Sequence, residues 1–243
     1  MQINLQPLVI HAKTISEAWF QILYNILDRS YLQPIQRGSF EKKQIRYQLP
    51  SLIVFIEKPW EDMVPEIPPH LGIPSPTNME FIEEYFVEYL MNPELAPNET
   101  YRYSSRIHYP MPKGGTQLER VIQMLKETPL TNQAVIEVGT PEDYDTCYGK
   151  DGKFDPPCLR IIDFKVIPVE EKLLLTVSVY FRSWDLWAGF PTNLGGIELL
   201  KQYVAMEAGL EAGLENGPMY AYSAGAHIYG YQVDLVKARI FRK

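Results

Sequence analysis

The reading of this chain turns on FDPPCLRIIDF at 154–164, VYFRSWDLWAGFPTNLGG at 179–196 and SAGAHIYGY at 223–231. The runs from Cys158 to Ile167 and from Leu173 to Phe181 are short and rich in Val, Ile and aromatics, so they predict paired strands and not helices. Around them stand a thiol, a guanidinium, hydroxyls, a carboxamide and an imidazole. That is the layout of a site carried on apolar strands.

Outward from this stretch, the chain alternates helices and strands. Thr14-Ile-Ser-Glu17 has the spacing of a capping box, and Trp19, Ile22, Leu23, Ile26 and Leu27 then mark the buried stripe of a first helix. Ile45 to Lys58, with its apolar run Leu52 to Ile56, reads as one strand. Pro59, Pro65, Pro68, Pro69, Pro74 and Pro76 remove backbone donors from a covering loop that ends at Asn78. Met79 to Met91 is a helix with Phe81, Ile82, Tyr85, Phe86, Tyr89 and Leu90 apolar and Glu80, Glu83, Glu84 and Glu88 outside. Thr100 to His108, with two arginines, two tyrosines and a histidine, suits either a polar edge strand or the wall of a pocket for a planar anion.

Thr116 to Glu127 is helical, Gln133 to Val138 is a strand, and 141–157 is turn-rich around Asp151-Gly152. Pro191 and Thr192-Asn193 start a helix that reaches about Ala208 and ends at Gly209 and Gly213. A strand from Met219 to Tyr231 and a short helix from Gln232 to Arg239 follow. No internal repeat or second core shows in the pattern, so residues 1–243 read as a single α/β domain, within the roughly 200–250 residues that such sheets occupy.

A formal net charge of -7 without a basic block excludes a nucleic-acid surface, while a few placed arginines could still hold a small anion. No apolar segment approaches the roughly 20 residues that cross a bilayer, and the start of the sequence lacks a signal-peptide pattern. Two cysteines make no disulfide framework, so a reduced, cytoplasmic protein is expected. Cys147 sits among acidic residues in the turn-rich loop and is given no chemistry.

Cys158 is open to two readings. A cysteine at the head of an apolar strand serves as an inert small hydrophobe. The two prolines before it also present it rigidly, as suits a nucleophile, and Arg182 could supply the cation a thiolate needs. Asn193, after a Pro-Thr pair, reads as a helix cap, and His227 as a core histidine. No histidine or cysteine pair has ligand spacing, so no metal is expected, and no phosphate-binding glycine loop or nucleophile elbow is present.

The order of these pieces nevertheless resembles the thymidylate synthase family. That family shows Pro-Cys opening a strand, Arg-Ser-x-Asp after the next strand, Gly-x-Pro-x-Asn leading into a helix, and His-x-Tyr. Here they stand as Pro157-Cys158, Arg182-Ser183-Trp184-Asp185, Gly189 to Asn193, and His227-Ile228-Tyr229. Similarity covers about a third of the chain and extends more weakly to Tyr103, Gln117 and Arg37-Gly38-Ser39. The proline-rich N-terminal half looks like the divergent archaeal and bacterial branch of the family, to which pyrimidine nucleotide hydroxymethylases are related.

The resemblance implies an α/β (α+β) three-layer fold with a large mixed sheet, flanking helices and a sheet-to-sheet homodimer. It implies that Cys158 adds to C6 of dUMP, which then takes a one-carbon unit and hydride from 5,10-methylenetetrahydrofolate to become dTMP. Asn193 would read the uracil edge, Arg182, Ser183 and Arg37 the phosphate, and His227 with Tyr229 the sugar, while Asp185 would face the folate. Three departures accompany it. The family's partner-subunit arginine pair is absent from Leu130 to Val135, with Arg102, Arg106 and Arg160 as candidate replacements. Leu159 stands where the common branch has histidine, and the sequence closes on ARIFRK without that branch's apolar tail. Weaker exclusion of water would make a hydroxymethylase one alternative, and the missing arginine pair a binding protein without catalysis the other.

Overall fold

The computed structural model describes residues 4–36, 44–97, 99, 101–147, 156–209 and 214–241. The element order is β1 (Leu8–Ala12), α1 (Ile15–Arg29), β2 (Tyr31–Pro34), β3 (Ile45–Gln48), β4 (Leu52–Ile56), α2 (Met79–Glu84), α3 (Tyr103–Ile107), α4 (Gln117–Glu127) and β5 (Val135–Glu137). It continues with α5 (Asp143–Cys147), β6 (Leu159–Val169), β7 (Lys172–Phe181), β8 (Trp184–Asp185), α6 (Gly189–Glu207), β9 (Leu214–Ser223), β10 (Ala226–Tyr229) and α7 (Val233–Arg239). Six strands form a mixed sheet in the order β1-β4-β9-β7-β6-β5, and four form a small sheet in the order β2-β3-β10-β8. The long β6–β7 hairpin is antiparallel, and β7 runs parallel to β9 beside it.

Helix α1 begins where its capping residues say it should. Thr14 Oγ1 accepts from Glu17 N at 3.1 Å, and the Glu17 carboxylate reaches back to Lys13 N at 2.7 Å. Its buried face, including Trp19, Ile22, Leu23 and Ile26, joins the inner faces of β1, β4, β6, β7 and β9 in one core cluster with α6. Inside that core, Lys201 Nζ pairs with Glu198 Oε2 at 2.8 Å, both side chains fully buried. Lys201 also donates to the Gly217 carbonyl at 2.6 Å, where β9 slips register against β7.

Two expected strands divide. Ile45 to Lys58 is β3 and β4 in different sheets, because Leu49 N donates to Ala226 O at 2.9 Å and Pro50, lacking an N–H, turns the chain out of the ladder. Met219 to Tyr231 likewise splits into β9 and β10 at a corner through Gly225, where a Cβ would lie 2.5 Å from the Arg182 carbonyl oxygen. Of the two readings of Thr100 to His108 the edge strand fails, since 103–107 is helical, while Tyr101, Arg102 and Tyr103 do line a cavity. Helix α2 passes at Tyr85 into a π-helical turn, Tyr85–Met91, and Phe81 and Tyr89 of the expected apolar face are exposed. The Asp151-Gly152 turn and Gly213 lie outside the described residues, while Gly209, at φ +65°, follows α6.

The outer face of the large sheet carries apolar side chains in rows. Register places Val9, Ile53, Tyr222, Tyr180 and Ile161 in one row across β1, β4, β9, β7 and β6. His11, Phe55, Tyr220 and Ser178 form the next row. Val9 is 49% exposed, Ile53 42% and Tyr222 40%. Among the described residues, no helix is long and apolar enough to cross a membrane.

Candidate functional site

The hairpin and its neighbours bring four sequence pieces to one end of the large sheet. Cys158 directly precedes β6, and Leu159 faces Phe181 at the end of the antiparallel β7. Arg182 and Ser183 follow at once, so the order of strands, and not proximity in sequence, sets them beside Cys158. Arg182 N donates to Cys158 O at 2.9 Å. The Arg182 guanidinium donates to the carbonyls of Pro157, at 3.2 Å, and Pro156. A cation thus clamps the rigid segment that presents the thiol. Cys158 is partly buried and forms no disulfide among the described residues.

From there the chain enters β8, whose Asp185 pairs in register with His227 of β10. Asp185 Oδ1 accepts from Trp187 N at 3.1 Å and from Gln232 Nε2 at 3.2 Å. Burial raises its pKa above the ordinary carboxylate value, and these donors oppose that rise. Gln232 also accepts from Tyr229 N at 2.8 Å, so one buried amide ties Asp185 to Tyr229.

His227 is 2% exposed. Its Nδ1 lies 2.8 Å from the Gly225 carbonyl, which can only accept, so Nδ1 carries the proton and Nε2 is a bare acceptor. That Nε2 is buried without a protein partner. Burial lowers the His227 pKa to about 4, with the nearby Arg46 charge adding to the effect, and the ring is neutral at pH 7. Tyr229 stands edge-on to it, ring centres 4.9 Å apart.

Asn193 does not cap α6. The helix starts at Gly189, which puts Asn193 in its second turn with the side chain turned to the sheet end. Trp184 Nε1 donates to Asn193 Oδ1 at 3.0 Å. An indole N–H is donor only, so this bond fixes which way round the amide sits: oxygen toward Trp184. Asn193 lines a cavity of about 280 Å³ with Tyr85, Tyr89, Tyr101, Arg102 and Tyr103. Tyr103 Oη accepts from Leu159 N at 3.4 Å, next to Cys158.

The remaining expected residues separate. Arg37 lies outside the described residues, as do Gly38 and Ser39. Gln117 braces structure: it donates to the carbonyls of Arg106 and Glu137 and accepts from Glu137 N at 2.7 Å. Arg102 is engaged by Glu99 and Glu88. Arg106 and Arg160 both grip the buried Asp143, at 2.9 and 2.8 Å. Arg160 lines a hollow of about 390 Å³ with Tyr180 and Ile161 on the outer sheet face.

Sequence reasoning passed over Arg46, Tyr85 and Gln232. Arg46 faces Tyr229 across β3 and β10, with its guanidinium carbon 5.6 Å from the ring centre. The signal available for it was strand alternation, and Tyr85 was read only as part of an apolar stripe.

The sequence profile described as Thymidylate synthase matches residues 88–243. A protein named "Putative thymidylate synthase" from Methanosarcina acetivorans is 32% identical over 229 residues, covering 94% of this chain and 93% of that protein. One of the same name from Methanococcoides burtonii is 33% identical over 230 residues, with the same coverage. The solved structure of thermostable thymidylate synthase A from Bacillus subtilis superposes with a TM-score of 0.67 at 13% identity, over 95% of this chain and 85% of that one.

Proposed function

The chain belongs to the thymidylate synthase family, and from that premise we propose that it methylates dUMP to dTMP in the cytoplasm, as a homodimer of single-domain subunits. The observation that carries this reading is the meeting of Cys158, Arg182, Asn193 and His227 at one sheet end, with the Asn193 amide held in one orientation by Trp184.

In this reading Cys158 is the nucleophile, and its sulfur bonds to C6 of the uracil ring. The C5–C6 electron pair moves toward C5 and the C4 oxygen, which makes C5 nucleophilic. Asn193, its oxygen already engaged, presents its N–H groups, which match a carbonyl at ring position 4 and oppose an amino group there. Neutral His227 accepts from a sugar hydroxyl through Nε2, and Tyr229 lies beside it. Arg182 and Ser183 hold phosphate, with Arg37 as a further ligand. Methylenetetrahydrofolate supplies the one-carbon unit and the hydride. The carboxylate of Asp185, anchored at the start of α6, faces it, and the aromatic walls at Tyr89 and Tyr101 suit its flat ring.

The exposed apolar rows on the outer sheet face support the homodimer, since a patch of that kind marks a protein partner. Arg160, which lines a hollow on that face, and Arg106, which shares Asp143 with it, are our candidates to replace the missing arginine pair.

The test is purified protein with dUMP and methylenetetrahydrofolate. Dihydrofolate absorbance should rise while a product of dTMP mass appears. A hydroxymethylated product without that rise selects hydroxymethylation. No covalent adduct on Cys158 with 5-fluoro-dUMP plus the folate, while nucleotide still binds, leaves a binding protein.

A further inference from the structure

The hydroxyl of Tyr85 is a polar group of the cavity wall to which the mechanism above gives no task. Its ring lines the cavity with Asn193, while its oxygen is buried and closes no hydrogen bond. The Asn193 side chain stands within hydrogen-bonding range of it but short of full geometry, and Cys158 is near enough for its charge to be felt. A buried hydroxyl left unmatched costs about 1–3 kcal/mol, so its placement calls for a partner that arrives later.

The backbone is built to hold the ring there. The π-helical turn Tyr85–Met91 closes with Asn92 N on Val87 O at 2.8 Å, and it stacks Tyr85 on Tyr89 at 5.7 Å between ring centres. On the facing helix α6, a Cβ at position 196 would sit 2.4 Å from Tyr85 Cδ1, so only glycine lets the ring approach Asn193. Burial raises the Tyr85 pKa far above the ordinary phenol value, and the neighbouring Cys158 and Tyr101 push it the same way. The phenol therefore stays protonated and can donate.

Resting on the substrate reading above, we propose that Tyr85 is a further catalytic residue, donating a hydrogen bond to the oxygen at ring position 4 as Cys158 adds at position 6. As the S–C6 bond forms, the C5–C6 π pair shifts to C5–C4 and negative charge gathers on that oxygen. No proton is transferred: Tyr85 Oη–H and an Asn193 N–H donate to it side by side, as a preorganised oxyanion-binding pair.

The experiment times adduct formation on wild-type protein and Tyr85→Phe with 5-fluoro-dUMP plus methylenetetrahydrofolate, by intact mass, beside dUMP affinity and thermal melting. Losing one such donor should slow the adduct by about 10²-fold, with dUMP affinity within about threefold of wild type. The melting temperature should hold or rise, because an unmatched hydroxyl has been removed. Gly196→Ala, which displaces the ring, should slow the adduct in the same way. Adduct formation by folded Tyr85→Phe at the wild-type rate overturns the proposal and leaves the substrate reading intact. No adduct on wild type removes the substrate reading, and this proposal falls with it.

Discussion

Trp184→Phe separates the two faces of the Asn193 amide. The variant keeps an aromatic ring against Phe181, whose centre lies 4.2 Å away and nearly parallel, but it deletes the indole N–H that donates to Asn193 Oδ1 at 3.0 Å. In the native site, flipping the amide forfeits that bond, worth about 1 kcal/mol, and strands a buried indole donor against another donor, about 1–3 kcal/mol more. The flip is thus opposed by about 2–4 kcal/mol, a factor on the order of 30 to 700. That factor bounds how strongly the site can prefer a 4-oxo over a 4-amino pyrimidine through this amide. In Trp184→Phe both orientations approach equal population. The affinity for dUMP should then fall only about twofold, because half the molecules remain correctly set, about 0.4 kcal/mol. The affinity for dCMP should rise, and the ratio of the two should shrink at least tenfold. Calorimetric titration of both nucleotides, on protein shown by thermal melting to be folded, reads this directly. An unchanged dUMP-to-dCMP ratio in folded Trp184→Phe would refute the reasoning.

Three other expectations follow from the same geometry. Lys201→Met should cost about 3–5 kcal/mol in urea denaturation, since it leaves Glu198 charged and fully buried, whereas Lys201→Met with Glu198→Leu should recover most of that; equal losses in both would show that the pair is not the cause. His227 carries a lowered pKa of about 4 against about 6.5 unfolded, so its stabilising effect, about 3 kcal/mol, is complete above pH 6.5 and is lost as pH falls toward 4. The slope of stability between pH 6.5 and 4 should flatten in His227→Gln, and an identical slope would count against a neutral buried imidazole. Tyr222→Arg, in the middle of the outer rows, should shift sedimentation from dimer to monomer, and a wild-type chain that sediments as a monomer at micromolar concentration would dismiss the dimer.

Much of the fold was legible before any coordinates, because its long elements carry strong local periodicity. The β6–β7 hairpin, α1 with its capping Thr14, and α4 with its capping Thr116 all lie where apolar spacing and capping residues place them. The breaks were not legible. Leu49-Pro50-Ser51 and Ser223 to Gly225 lie inside what the pattern reads as single strands, and only the pairing of Leu49 with Ala226 shows that a second sheet begins there.

The sequence by itself determined the chemical inventory and its order: a thiol after two prolines, an Arg-Ser pair one strand later, an amide near the start of a following helix, and a His-x-Tyr near the end. Tertiary structure alone decided how those groups address one another. It turned Asn193 from an apparent cap into an amide oriented by Trp184, set the proton of His227 through the Gly225 carbonyl, and brought Tyr85 from an apolar stripe to the cavity wall. The physical reason is range. Helix and strand periodicity are set by neighbours two to four residues away, whereas hydrogen-bond direction and desolvation depend on groups that meet only when distant segments pack.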